Sequence, residues 1–264
     1  MPAPWTIIGS GRLGSALRQW LGQSGVPATV VRHAGVATWR RGLRSAAPGG
    51  LLLAVPDDAL AGLARDLAAA RPEWRGWRIL HTSGGLDSSV LAPLKRRGAA
   101  VGSLHPMMTF PRAGRPAPSP DGIVFSYEGD AGARRAAAAL IRDWRGLPLP
   151  LAPGVKTAYH LAATLVGPGA VVEMAAAETV LRRAGLRGAE LARARQGLRR
   201  LLGATAANLE EGVLAAWTGP WARGDRQTVA RHLRQVPTAE LRRLYRALLA
   251  SARADEYLSS GTNK

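Results

Sequence analysis

The chain contains no cysteine among its 264 residues. This absence excludes structural disulfides, zinc sites built on thiolates and a cysteine nucleophile. Any chemistry must therefore use other side chains, and no metal site is predicted.

The sequence also lacks a long unbroken apolar run. No stretch approaches the roughly 20 residues that a membrane-spanning helix needs. The first residues, Met1-Pro2-Ala3-Pro4, provide no basic flank followed by a long apolar core, which a signal peptide would have. We expect a cytoplasmic protein without membrane association.

Acidic residues are scarce, with 18 Asp and Glu against 36 Lys and Arg, which gives a net charge of +18. Such a surface can attract nucleic acid, an anionic membrane or a polyanionic cofactor. A nucleic-acid binder usually adds a recognisable module or aromatic residues among the basic ones, and the sequence shows neither. The arginine-rich run 182–200 is interpreted as the solvated faces of two helices, so nucleic acid is kept only as an alternative partner.

The length is sufficient for two domains, and the pattern changes near Pro153. Before it, apolar runs alternate with helical stretches, which is typical of a parallel sheet with crossover helices. The predicted strands are 5–8, 28–31, 51–55, 78–81, 100–104, 123–127 and 147–151. After it, only helices are predicted, at 156–183, 189–211, 225–235 and after Thr238. We predict an α/β fold: an N-terminal Rossmann domain with a doubly wound parallel sheet in residues 1–152, then an all-α C-terminal domain in residues 153–264.

The strongest motif follows the first predicted strand and opens a helix. It consists of Gly9, Ser10, Gly11, Arg12, Leu13 and Gly14. In a dinucleotide fingerprint the first glycine allows a tight turn, the second lets the pyrophosphate approach the backbone, and the third lets helix and strand pack closely. The alternative is a tight turn that binds no ligand.

Arg32 follows the second predicted strand, where NAD enzymes usually place Asp or Glu to bind the ribose hydroxyls. A guanidinium at this point suits the 2′-phosphate of NADP instead. Arg40 and Arg41 are possible helpers. We predict NADP(H) as the cofactor, with an ordinary surface arginine as the alternative.

Three further loops follow predicted strands, at the edge where open α/β sheets bind ligands. The first, 55–58, stops a strand and caps a helix, and can also contact the cofactor ribose. The second, 81–85, can border the nicotinamide. The third contains His105, a candidate for catalysis and substrate binding. A structural role is an equal alternative for His81 and for His105. The loop residues assigned to cofactor binding are Val55, Pro56, Asp57, His81, Thr82 and Ser83.

In the second half, Lys156 and His160 are four residues apart and share one face of a long predicted helix. Reduction of a carbonyl or imine needs a proton donor. We assign this role to Lys156, because the helix dipole, nearby arginines and partial burial should lower its pKa, and we assign His160 to orienting substrate. Arg223 is a candidate for binding a substrate carboxylate, while Asp225 is explained as a helix cap.

The chain resembles bacterial oxidoreductases that join a Rossmann-like domain to a helical domain of unknown function. These are related in architecture to ketopantoate reductase, pyrroline-5-carboxylate reductase and 6-phosphogluconate dehydrogenase. The resemblance covers nearly the whole chain. It rests on 9–14, 81–84, 105–111, Glu128-Gly129-Asp130, Lys156 with Tyr159-His160, and 218–225 with His232.

The resemblance implies NADPH-dependent hydride transfer to a small carbonyl or imine metabolite. Possible substrates include a 2-oxo acid such as ketopantoate. It also implies a homodimer whose helical domains complete the site. Pro168 stands where the family tends to have an asparagine. If that asparagine holds substrate, substrate choice or activity has changed here. The alternative function is a catalytically inactive dinucleotide-binding sensor or interaction protein.

Overall fold

The structure is a computed structural model, which describes residues 4–32, 46–112, 115–213 and 215–251. Seven strands lie in these ranges: β1 Trp5–Ile8, β2 Ala28–Val31, β3 Gly50–Leu53, β4 Arg78–His81, β5 Ala100–Pro106, β6 Val124–Gly129 and β7 Leu147–Pro150. The α-helices are α1 Arg12–Gln23, α2 Asp57–Ala70, α3 Ala92–Lys95, α4 Ala131–Asp143, α5 Lys156–Arg183, α6 Gly188–Asn208, α7 Gly219–Ala222, α8 Arg226–Gln235 and α9 Ala239–Ser251. Two 3₁₀ turns lie at Ser88–Leu91 and Leu209–Glu211. Each predicted strand is present, with ends displaced by at most two residues.

All seven strands form one sheet in the order β2-β1-β3-β4-β5-β6-β7. The chain goes from β1 outward to β2 and then returns to the other side of β1, so the strand order reverses between β1 and β3. Ligands of open α/β sheets bind at such a reversal. The fingerprint loop after β1 lies at this point.

One strand departs from the predicted parallel sheet: β6 pairs with β5 in the antiparallel sense. The other pairs, including β6 with β7, are parallel. A parallel return needs a crossover of a dozen or more residues, usually a helix, and the described residues between β5 and β6 contain none. The sheet is therefore mixed, although its parallel part is the Rossmann arrangement that was predicted.

Helices cover both faces of the sheet, which confirms the doubly wound architecture. On one face, α1 and α4 pack on the sheet around Trp20, Phe125 and Trp144, whose rings contact one another at 5.4 to 5.8 Å between centroids. On the other face, α2 packs with Trp74 and Trp77. The three leucines of β3 are fully buried, as expected for a strand covered on both sides.

By its internal contacts the chain divides into one unit of residues 1–167 and a second of residues 168–264. The predicted boundary after residue 152 falls before α5, whereas this division lies within that helix, at Pro168. Among the described residues, α5 is long and apolar enough to cross a membrane by length and composition. Only Lys156 and Tyr159 of its side chains are buried.

Candidate functional site

The fingerprint glycines have different structural roles. Gly9 has a φ of +119°, and a Cβ there would lie 2.1 Å from the carbonyl oxygen of Ala54. A Cβ on Gly14 would lie 2.0 Å from the carbonyl oxygen of Gly9. Both positions therefore require glycine for the backbones to pack. A Cβ on Gly11, by contrast, would meet no atom within 4 Å.

Gly11 is the N-cap of α1, and no side chain caps the helix. The first backbone N–H groups of a helix lack partners within the helix and carry its positive dipole end. Together with the open space beside Gly11, they form a cradle that suits an anion such as a pyrophosphate. Ser10 and Arg12 are exposed beside this cradle, whereas Leu13 is half-buried.

Arg32 is exposed immediately after β2. The backbone N–H of Gly9 donates to the carbonyl oxygen of Val31 at 2.9 Å, so the end of β2 lies beside the fingerprint loop. Arg32 thus lies close to the fingerprint loop. The possible helpers Arg40 and Arg41 lie outside the described residues.

The loops after β3 and β4 are joined by side-chain hydrogen bonds. Pro56, not an aspartate, is the N-cap of α2, and Asp57 lies in its first turn. The hydroxyl of Ser83 donates to Asp57 Oδ2 at 2.9 Å and accepts from the backbone N–H groups of Gly85 and Leu86. Asp57 therefore braces the second loop instead of capping the helix, while Val55 before it is buried.

His81 and Thr82 are also used within the protein. The imidazole of His81 is fully buried, and its Nδ1 accepts from the backbone N–H of Ser83. Burial, aided by the charge of Lys156, lowers the pKa of His81 to about 3. The Thr82 hydroxyl donates to the carbonyl oxygen of Leu53. These side chains support the loop, so the predicted contact with the cofactor would be made by the backbone of the loop.

His105, His160 and Tyr159 meet at the end of β5. The rings of His105 and His160 are 5.7 Å apart between centroids and nearly perpendicular. His105 Nδ1 is 2.9 Å from Tyr159 Oη. A Cβ on Gly84 would lie 2.4 Å from His160 Nδ1 and 2.8 Å from His105 Nε2. Glycine at position 84 therefore lets both imidazoles pack against the loop after β4.

The environment of this pair keeps His105 uncharged. Burial is the main cause that lowers the pKa of His105 to about 4, and the charges of Lys156 and His160 add to it. Burial also raises the pKa of Tyr159. Near neutral pH, His105 and Tyr159 are therefore a neutral hydrogen-bonded pair.

Lys156 lies one helical turn before His160 and is 2% exposed. Its Nζ donates to the hydroxyl of Ser103 on β5 at 2.8 Å. Burial lowers the pKa of Lys156 to about 8, whereas the carboxylates of Glu128, Asp57 and Asp87 oppose this shift. A lowered pKa was predicted from the helix dipole, nearby arginines and partial burial, and burial is the main cause in the structure.

Three residues of this site were not assigned from the sequence. Tyr159 contacts His105, Ser103 contacts Lys156, and Glu128 accepts from both the backbone N–H and the hydroxyl of Ser88. A polar residue within an otherwise apolar strand was the available signal for Ser103. Tyr159 and Glu128 belong to motifs on which the resemblance rests, but no role was assigned to either residue.

In the second unit, Arg223 is exposed at the C-cap of α7. Asp225 caps α8, because its Oδ1 accepts from the backbone N–H of Thr228 at 2.9 Å. The hydroxyl of Tyr245 links Trp221 Nε1, at 3.0 Å, with His232 Nδ1, at 2.8 Å. Segment 218–225, through Trp221, and His232 therefore both contact Tyr245 on α9.

Residues 123–252 match the family described as a domain of unknown function (DUF2520), and residues 42–106 match a Rossmann-like domain. No curated protein matches the chain. These matches confirm the predicted combination of a Rossmann-like domain and a helical domain of unknown function.

Solved structures share the fold over nearly the whole chain. BF3122 from Bacteroides fragilis, provisionally named an NADP oxidoreductase, is 20% identical with a TM-score of 0.74, covering 96% of this chain and 98% of that one. TM1727 from Thermotoga maritima is 22% identical with a TM-score of 0.70, covering 95% and 97%. A reductive aminase from Aspergillus terreus in complex with NADPH and ethyl-5-oxohexanoate is 20% identical with a TM-score of 0.61, covering 97% and 95%. The chain thus combines a region that matches a Rossmann-like domain with a region that matches DUF2520, and it shares the fold of these solved structures.

Proposed function

We propose that this protein is an NADPH-dependent oxidoreductase that reduces the C=O or C=N bond of a small metabolite. The observation that carries the proposal is the open, uncapped start of α1 at Gly11, at the same sheet edge as the His105–His160 pair. Three strand spacings of about 4.8 Å separate β1 from β5, or roughly 14 Å. A dinucleotide lying along this edge would reach from Gly11 to the imidazoles.

Different residues of the chain would bind different parts of the cofactor. Backbone N–H groups at Gly11 and the start of α1 would hold the pyrophosphate, and Arg32 would bind the 2′-phosphate, in agreement with the NADPH that the Aspergillus terreus aminase binds. The loop held by Ser83 and Asp57 would border the nicotinamide. When bound, the reduced nicotinamide supplies the hydride.

Lys156 is our candidate for the proton donor. With a pKa of about 8 it is largely protonated near neutral pH, unlike His105, and a pKa near the working pH suits a general acid. His105 and His160 would hold the heteroatom of the substrate double bond. Arg223 remains the candidate for binding a substrate carboxylate.

The substrate class can be tested by following NADPH absorbance. The panel should contain ketopantoate and other 2-oxo acids, cyclic imines, and ketones mixed with amines, since the neighbours include a reductive aminase. We expect oxidation of NADPH with at least one class, and none with a Gly11→Val variant. The proposal would be contradicted if the wild-type protein binds NADPH but does not oxidise it with any compound of the panel.

Pro168 favours a second candidate, an inactive dinucleotide-binding sensor. It lies within α5, eight residues after His160, and a proline there removes a helix hydrogen bond to Thr164. Calorimetric binding of NADPH without turnover across the panel would support this candidate. A Pro168→Asn variant that then gains turnover would assign the loss to this position.

We also propose a cytoplasmic homodimer formed through α5. This helix exposes Leu161, Leu165, Val166, Val171 and Val172, each by 58 to 76%, and such apolar surface usually marks an interface. Glu173 and Pro168 within it favour a protein partner over lipid. We expect a dimer by light scattering and a monomer for Leu165→Glu, with Gln196→Glu as the control. A monomeric wild type that binds vesicles would favour a membrane instead.

A further inference from the structure

The phenol of Tyr159 is a hydrogen-bond partner of His105. It is 8% exposed, and its ring meets the imidazole edge to face at 5.6 Å between centroids. Its Oη is 2.9 Å from His105 Nδ1. The hydroxyl of Ser126, buried on β6, has no hydrogen-bond partner among the described residues, although it partly offsets the rise in the pKa of Tyr159.

Which atom carries the proton in the Tyr159–His105 contact follows from donor and acceptor strength. A neutral imidazole has one N–H and one bare nitrogen, and its bare nitrogen is a strong acceptor. A phenol is a good donor but a weak acceptor. The phenol O–H therefore donates to Nδ1, which lies 2.9 Å from Oη. This assigns the imidazole proton to Nε2.

We propose that Tyr159 is a positioning residue that fixes His105 in the tautomer protonated at Nε2. Nε2 is the nitrogen that packs against Gly84, next to His160 Nδ1, which is buried and without a partner in the described part of the chain. His105 then presents an N–H donor at the sheet edge. Given the proposed function, this donor binds the lone pair of the carbonyl oxygen or imine nitrogen that is reduced.

The tautomer can be measured directly by nitrogen NMR of protein labelled with ¹⁵N-histidine. The chain has five histidines, and a His105→Gln variant identifies the signals of His105. In wild-type protein at neutral pH we expect a bare Nδ1 and a protonated Nε2. A protonated Nδ1 would overturn the proposal, and this spectrum alone decides the tautomer if a tyrosine variant does not fold.

Tyr159→Phe keeps the ring but removes the hydroxyl, so the two tautomers of His105 should become mixed. The matched control is Tyr127→Phe on β6, which should leave the His105 signals unchanged. A wild-type tautomer in Tyr159→Phe would show that another group sets it.

The kinetic consequence is tested on a substrate found with the NADPH panel. We expect Tyr159→Phe to lower kcat by about two- to fivefold while the Kd for NADPH stays within twofold, because in a mixture of tautomers the donor is present only part of the time. Altered tautomers with unchanged kcat would overturn the assignment of His105 as the substrate's donor. Absence of turnover in the wild type would contradict the proposed function instead, and the spectra would still decide the tautomer.

Discussion

Gly11→Val tests the cofactor site without knowledge of the substrate. Gly11 has φ −69° and ψ −170°, an extended conformation that valine adopts freely, and a Cβ there meets no atom within 4 Å. As a change at an N-cap position, the substitution should cost at most about 1 kcal/mol of stability. The fold should therefore remain intact.

Binding should respond very differently, because the valine side chain fills the space that the pyrophosphate needs. Hydrogen bonds to a charged group contribute roughly 1.5 to 3 kcal/mol each. Losing two such bonds at the start of α1 would weaken NADPH binding by about 3 to 6 kcal/mol, or roughly two to four orders of magnitude. Calorimetric titration measures the affinity, and circular dichroism with thermal melting measures the fold.

The matched control is Gly22→Val, in the same helix. A Cβ on Gly22 also meets nothing within 4 Å, and valine and glycine have similar helix propensities to within about 0.5 kcal/mol. It should bind NADPH as the wild type does. The reasoning is refuted if folded Gly11→Val binds NADPH within tenfold of wild type, or if both variants lose binding equally.

Three further substitutions test the other parts of the site. Arg32→Ala should weaken NADPH binding about ten- to a hundredfold while leaving NADH binding unchanged, since one charge-assisted contact is lost; equal calorimetric affinities of the wild type for both cofactors would contradict this. Gly84→Ala should force His160 or His105 to move by about 1 Å, because the added Cβ would lie 2.4 and 2.8 Å from their ring nitrogens, so turnover should fall about a hundredfold with little change in NADPH affinity. Lys156→Met should lower kcat by roughly a hundredfold or more at unchanged NADPH affinity. Because burial lowers the pKa of Lys156 from 10.5 to about 8, the unfolded chain binds more protons over that interval. Chemical denaturation should show wild-type stability rising with pH across it, by on the order of 2 to 3 kcal/mol relative to Lys156→Met.

Periodicity was sufficient to predict most elements of the fold. The predicted 5–8, 28–31, 78–81 and 156–183 agree with β1, β2, β4 and α5. Such segments are specified locally, by apolar spacing and by flanking glycine and proline. Strand direction is not local, because an apolar strand has the same pattern whichever way it runs. The antiparallel β6 was therefore missed, although the helix-free connection before it was visible in the sequence.

The site was predictable as a location but not as a set of contacts. Residues after β4 and β5 were expected at one sheet edge, since the carboxyl ends of parallel strands coincide there. Whether a side chain at a strand end turns inward depends on register and on the helix packed above it. His81 is fully buried, whereas His105 reaches Tyr159 across 54 residues of chain. Neither outcome follows from local pattern.

A row of polar residues crosses the sheet beneath the first turn of α5. His81 pairs with Ser103, and Ser103 pairs with Glu128, on three adjacent strands, and Lys156 covers the row with its buried ammonium. A buried lysine is costly even when paired, and apolar replacement of such groups is often stabilising. If the row had no role in the chemistry, Lys156→Met should leave turnover unchanged while stability stays the same or rises. Opposite signs for stability and turnover would mean that the cost of burying this charge is retained for chemistry, which is how strained or polar features persist at functional sites.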